Sequence, residues 1–207
     1  MRRIMSGVLS AILLISACTF AEDAAAPAQP PAGKSIALVA VGPVDSALMD
    51  RVVAFVKENT TLNIHVLPAM EATGDTLDAI AAEAGKAMGA DDATLVVLAD
   101  PAADIKPHGV NFPEQRIAVV NVKSLKPASG DAEVLGRRVE REVMQSIGMQ
   151  LGLQACPNPQ CAMWSYSTDE ELDAKGRNYC PPCMGALQNA AKEKGIGMDV
   201  NSVSSVQ

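Results

Sequence analysis

The chain predicts an α/β domain built on a mostly parallel sheet with flanking helices, and three observations lead there. Short β-branched apolar runs alternate with amphipathic stretches of helical period between residues 36 and 153. The 207 residues are 48% hydrophobic, enough for the core of one domain and too few for two large ones. No repeat of fixed period, no Gly-rich phosphate loop after a strand and no Gly-x-Ser-x-Gly elbow breaks the pattern.

The elements follow in order. Residues 36–41 form a β-branched run that stops at Gly42-Pro43, and residues 44–57 then set Val44, Leu48, Val52, Phe55 and Val56 at helical spacing. Residues 62–67 return to strand character up to Pro68. Residues 77–88, rich in Ala, place Leu77, Ile80, Ala84 and Met88 on one helical face. Residues 95–98 and 116–122 read as two more strands. The longest helical stretch is 133–153, where Val134, Leu135, Val139, Val143, Met144, Ile147 and Leu151 keep one face apolar and Gly152 supplies a stop. On that helix Glu140 and Glu142 lie two residues apart and are expected on a solvated face.

Ahead of this body lies an export pattern. Arg2 and Arg3 precede an apolar stretch, 4–15, that is too short for a permanent membrane span. Ile15-Ser16-Ala17-Cys18 has the order of a bacterial lipobox, which predicts a signal peptide over 1–18 and lipidation at Cys18. Cleavage after Ala21 is the alternative, and it would give a soluble periplasmic or secreted protein. Residues 19–33, rich in Ala and Pro, read as a tether, so the folded domain is expected over 34–207. The expected location is a lipid-anchored protein facing the periplasm or the cell surface. The formal charge is −7, and loss of Arg2 and Arg3 leaves 15 basic against 24 acidic residues. That balance excludes a nucleic-acid partner, which needs a basic surface. Contact with the membrane is expected through the anchor alone.

After Leu153 the chemistry changes. Cys156 and Cys161 have four residues between them, Cys180 and Cys183 have two, and eighteen residues separate the pairs. Two short-spaced thiolate pairs wrap one tetrahedral Zn²⁺ with no open position, a structural and not a catalytic arrangement. The same spacing admits two disulfides in an exported protein. It also admits a thioredoxin-type redox pair at Cys180-Pro181-Pro182-Cys183.

The stretch from Gln145 to Cys183 resembles the archaemetzincin family of zinc metallopeptidases. That family carries H-E-x-x-H-x-x-G-x-x-H-C, four residues to a second cysteine, a methionine two further on, and a closing C-x-x-C. Here Gln145-Ser146-Ile147-Gly148-Met149-Gln150-Leu151-Gly152-Leu153-Gln154-Ala155-Cys156 is followed by Cys161, Met163, Cys180 and Cys183. Sixteen residues separate Met163 from Cys180, where the family has about seventeen. Weaker similarity extends to Val41-Gly42-Pro43-Val44-Asp45 and to Val110-Asn111-Phe112. The resemblance implies a metzincin-like single domain with a C-terminal four-cysteine subregion. It also implies one structural zinc on Cys156, Cys161, Cys180 and Cys183, and the Met-turn position at Met163.

The departures fall on the catalytic letters. The three histidine ligands are replaced by Gln145, Met149 and Ala155, and the general-base glutamate by Ser146. A metzincin zinc needs three imidazoles, an open position for water and a carboxylate to take its proton. His65 and His108, the only histidines, stand outside the motif. The expected function is therefore an exported, lipid-anchored archaemetzincin-like pseudopeptidase. It would bind a structural zinc and a peptide or protein partner in the former substrate cleft, with residues 110–122 as the edge against which an extended ligand pairs. Two alternatives remain: a residual zinc-dependent peptidase with a relocated metal site, and a thiol-redox protein using the Cys180/Cys183 pair.

Overall fold

The computed structural model describes residues 33–197, so the signal peptide, Cys18 and nearly all of the tether lie outside the described residues. Five strands form one sheet: β1 (Ser35–Val41), β2 (Ile64–Val66), β3 (Asp92–Ala99), β4 (Gly109–Phe112) and β5 (Ile117–Asn121). Their order is β2-β1-β3-β5-β4. The first four neighbours run parallel, while β4 lies antiparallel on β5, with Val110 opposite Val119 and Asn111 opposite Ala118. The mostly parallel α/β expectation is met.

Parallel strands covered on both faces need apolar side chains on both. β3 and β5 are buried along their whole length. Ile36, Leu38, Val96, Leu98 and Val120 point to one side, into a core closed by α1 (Ser46–Thr60), α4 (Ala132–Gln150) and α6 (Pro181–Glu193). Ala37, Val39, Leu95, Val97 and Val119 point to the other, under α2 (Leu77–Ala84). Two short helices, α3 (Val122–Leu125) and α5 (Asp169–Ala174), bury Leu125 and Leu172 in the first core. Each fully buried aliphatic side chain contributes roughly 1.5–3 kcal/mol, so these two layers dominate the stability of the body.

The helix ends are legible in local chemistry. Asp45, Thr76, Asn121, Asp131 and Thr168 each accept a backbone N–H at a helix start. Helix α4 ends at Leu151, and Gly152 adopts φ +94°, a left-handed conformation that glycine reaches without penalty.

Three expectations change. Residues 110–122 are not a single edge: β4 is the edge strand, whereas β5 lies between β3 and β4. Glycine and proline frame β4, so its four residues carry too little periodicity to announce a strand. The helix expected over 77–88 closes at Ala84 and continues as one 3-10 turn, Gly85–Ala87. Glu140 and Glu142 are both buried, at 2% and 8% exposure. Glu140 receives Arg51 at 2.7 Å and Arg177 at 2.7 Å, and this pairing makes its burial tolerable.

Candidate functional site: a cleft beside a four-cysteine cluster

The long helix α4 presents one face to the core and a second, partly exposed face to a cleft. Val139, Val143, Met144 and Ile147 enter the core, while Glu142, Gln145, Ser146 and Met149, spaced i, i+3, i+4 and i+7, share a second face. That second face floors a cleft of about 470 Å³. His108, Gly109 and Asn111 form one wall at the start of β4, and Tyr166 to Asp169 form the other.

The second wall is held by arginines of α4. Buried Arg138 grips Asp173 through two nitrogens at 2.8 and 2.7 Å, and Asp169 at 2.8 Å. Arg141 donates to the carbonyls of Asp173 and Lys175, each at 2.7 Å, and so closes the C-terminal end of α5. Paired guanidinium forks of this kind fix geometry as well as charge.

Three of the four altered motif positions meet in the cleft. Gln145, Ser146 and Met149 line it, whereas Ala155 lies exposed in the loop beyond α4 and takes no part in the lining. Under the floor stands Lys175, 1% exposed, whose Nζ donates to Gln145 Oε1 at 2.5 Å and lies 5.1 Å from the centre of the Tyr166 ring. Burial lowers the Lys175 pKa to about 8, against an opposing pull from Glu142. Glu142 itself is pushed upward by desolvation, partly offset by Lys175 and by the hydroxyl of Tyr166. His108 Nδ1 lies 2.9 Å from that hydroxyl, and Nε2 lies 3.7 Å from Asp169. The Tyr166 hydroxyl is raised well above its ordinary range, by burial first and by Glu142 next, so it stays protonated and acts as a donor.

These residues differ in kind from the three imidazoles and the carboxylate that metzincin chemistry uses. A carboxamide, a thioether and a hydroxyl offer no set of nitrogens for Zn²⁺, and the carboxamide oxygen at Gln145 is already engaged by an ammonium. Among the described residues the one cluster of three or more His, Cys, Asp or Glu side chains arranged to hold a metal ion is the cysteine set.

That set lies beyond the C-terminal end of α4. The sulfurs of Cys156, Cys161, Cys180 and Cys183 all fall within 4.8 Å of one another, with Cys156 and Cys180 at 3.8 Å. A tetrahedral thiolate site with Zn–S near 2.3 Å has sulfur-to-sulfur edges of about 3.8 Å, so the four residues fit one zinc ion. Convergence of all four sulfurs is the arrangement of a single ion and not of two separate pairs. Cys161 Sγ accepts the backbone N–H of Met163 at 3.5 Å and of Cys180 at 3.3 Å, the outer hydrogen bonds that steady a metal-bound thiolate. Pro181 and Pro182 open α6 directly after Cys180, where a missing N–H costs nothing, and so turn Cys183 back toward its partner. With no metal, burial raises the thiols of Cys161 and Cys183, whereas the backbone N–H of Cys183 lowers that of Cys180. Zinc would hold all four as thiolates and supply structural cross-linking with no open coordination position.

Residues 105–189 match the family model of Peptidase family M54. The chain is archaemetzincin-like. It is 32% identical over 95 residues to the archaemetzincin of Pyrococcus abyssi, covering 41% of this chain and 50% of that protein. With the archaemetzincin of Pyrococcus horikoshii it shares 34% identity over 95 residues and the same coverage. The chain thus spans about half the length of the curated relatives it matches. The fold extends further. The crystal structure of the archaemetzincin of Methanopyrus kandleri aligns with a TM-score of 0.63 at 24% identity, covering 77% of this chain and 96% of that one. A zinc-dependent peptidase of Methanocorpusculum labreanum aligns with a TM-score of 0.61 at 19% identity, covering 74% and 100%.

In this archaemetzincin-like chain Met163, which the resemblance would put at the Met-turn, is 1% exposed and lies under Gly148, where any Cβ would collide with its sulfur. Sequence reasoning set aside both histidines. His65 bridges Ser35 at 3.0 Å and Asp92 at 3.3 Å on the side of the sheet away from β4. His108, by contrast, lines the cleft, and so do Glu142 and Tyr166. Their one sequence signal was the spacing of Glu142, three and four residues before Gln145 and Ser146.

Proposed function

We propose that this chain is a non-hydrolysing archaemetzincin-like receptor. It keeps a four-cysteine structural zinc and uses the former substrate cleft, with the β4 edge, to hold a peptide or protein partner. The observation that carries this reading is the occupant of the Gln145 position. A carboxamide bonded to the buried Lys175 ammonium stands where a peptidase needs an imidazole for its metal. Ser146 lacks the proton affinity of a general base. The edge strand β4 leaves one row of backbone groups for an added strand, the usual way an extended peptide docks on a sheet.

The Arg2-Arg3 pair, the apolar stretch behind it and the lipobox ending at Cys18 support export and lipid anchoring, with residues 19–33 as the spacer before the domain over 34–207. Among the described residues the His108, Glu142 and Asp169 side chains of the cleft do not converge as a metal-holding cluster, which weighs against a relocated catalytic metal. The convergence of all four sulfurs weighs against a free redox pair at Cys180 and Cys183.

The test combines peptidase assay and binding on one zinc-loaded preparation. A fluorogenic peptide library should show no cleavage above a chelator-treated control, while a peptide-display selection should return ligands whose binding is lost when the outward row of β4 is blocked by Asn111→Pro, whose N–H faces away from β5. Chelator-sensitive cleavage that vanishes in Gln145→Ala would overturn the non-hydrolysing reading.

A further inference from the structure

The cleft floor holds a carboxylate that its own protein leaves incompletely paired. Glu142 is more than nine-tenths buried, and among the described residues its Oε1 has no hydrogen-bond partner. A buried carboxylate oxygen without a donor is costly, and native proteins normally satisfy it with a side chain, a water or a ligand. None of the neighbouring groups bonds Oε1: Lys175 pulls on the carboxylate but donates to Gln145, the Tyr166 hydroxyl that also pulls on it lies against His108, and Arg138 and Arg141 are committed to α5. Glu142 nevertheless lines the cleft together with Ser146, one helical turn along, and Met149, two turns along.

We infer that this cleft takes the primary ammonium of a lysine side chain, seated on the Glu142 carboxylate. The inference rests on the receptor reading above and names the chemistry of its ligand. An ammonium carries three donors and a positive charge, so from the cleft it donates to the carboxylate oxygen that is not enclosed and adds counter-charge to a desolvated carboxylate. The hydroxyls of Ser146, Ser167 and Thr168 line the same cleft and offer acceptors for the remaining N–H groups. Lysine has an apolar stem, and Met149, a large hydrophobic side chain left 38% exposed, gives that stem a surface on the same helical face. The rim does not repel a cation: Lys106 is neutralised by Asp104 at 2.7 Å, and His108 leans toward Asp169.

The experiment uses the full zinc-loaded chain and three pentapeptides titrated by NMR while the backbone amides of β4 and α4 are followed. The first is acetylated and amidated with a central lysine, the second carries norleucine at that position, and the third is an alanine peptide with a free N-terminus. The lysine peptide should bind at least tenfold more tightly than the norleucine peptide, and Glu142→Gln should erase that difference while zinc content stays unchanged and the variant still unfolds cooperatively. Equal binding of lysine and norleucine peptides by the unmutated protein, which requires no variant to fold, would overturn the ammonium assignment and leave the receptor reading intact. A gain confined to the free N-terminus would overturn the choice of lysine. No shift of β4 or α4 amides with any peptide would overturn both readings.

Discussion

A lysine that is 1% exposed ought to reveal itself in the pH dependence of stability. Lys175 titrates near 8 in the folded protein against an ordinary lysine value of 10.5, chiefly because burial penalises its charge. Between those two values the unfolded chain holds a proton that the folded chain has released, so unfolding binds protons and stability rises with pH. Each pH unit in that window is worth about 1.4 kcal/mol, which gives about 3 kcal/mol across it. Lys175→Met keeps the length and apolar stem of the side chain and removes the titration. Denaturant unfolding of both zinc-loaded proteins at intervals from pH 7 to 11 isolates the effect, because cysteine and tyrosine ionisations are common to the two. The unmutated protein should gain about 3 kcal/mol on the variant between pH 8 and 10.5. A difference that stays flat, or that falls with pH, would refute the picture of a buried ammonium beneath the cleft.

Other predictions concern the elements that build the site. Cys161→Ser, at a fully buried ligand, should lower zinc from one ion per chain to a substoichiometric value by elemental analysis and make the remaining ion easier to chelate. Gly148→Ala drives a methyl group into Met163 Sδ and should cost about 1–3 kcal/mol in chemical denaturation. Arg138→Met removes the bonds to Asp169 and Asp173, whose own side chains are 52% and 41% exposed and can rehydrate. The loss should be modest, about 1–2 kcal/mol, and should appear as faster amide exchange across 166–175 before it appears in the global melt. Glu140→Gln leaves Arg51 and Arg177 without their shared buried carboxylate and should destabilise by about 2–4 kcal/mol in the same assay.

Much of this molecule is written locally. The β-branched runs of β1, β3 and β5 and the 3.6-residue period of α4 announce a parallel α/β body because burial on one or both faces demands those patterns. The cysteine spacing announces a metal site because two close pairs can close on one ion, and the residues at 145, 146, 149 and 155 announce a changed ligand set because ligand chemistry depends on residue type. Placement of distant residues was not legible. β4 is four residues long and gains its identity from pairing with β5, so no stretch of sequence marks it as the edge while β5 lies inside. Glu140 and Glu142 read as solvated because carboxylates are seldom buried. Arg51 and Arg177, far away in sequence, make burial tolerable for the first. For the second, only the fold brings Lys175, Tyr166 and His108 around one carboxylate and leaves one of its oxygens facing no donor. The sequence by itself determined which residue types stand at 145, 146, 149 and 155. The tertiary structure decided what surrounds them, because charge compensation inside a protein is set by distances across the fold and not by neighbours along the chain.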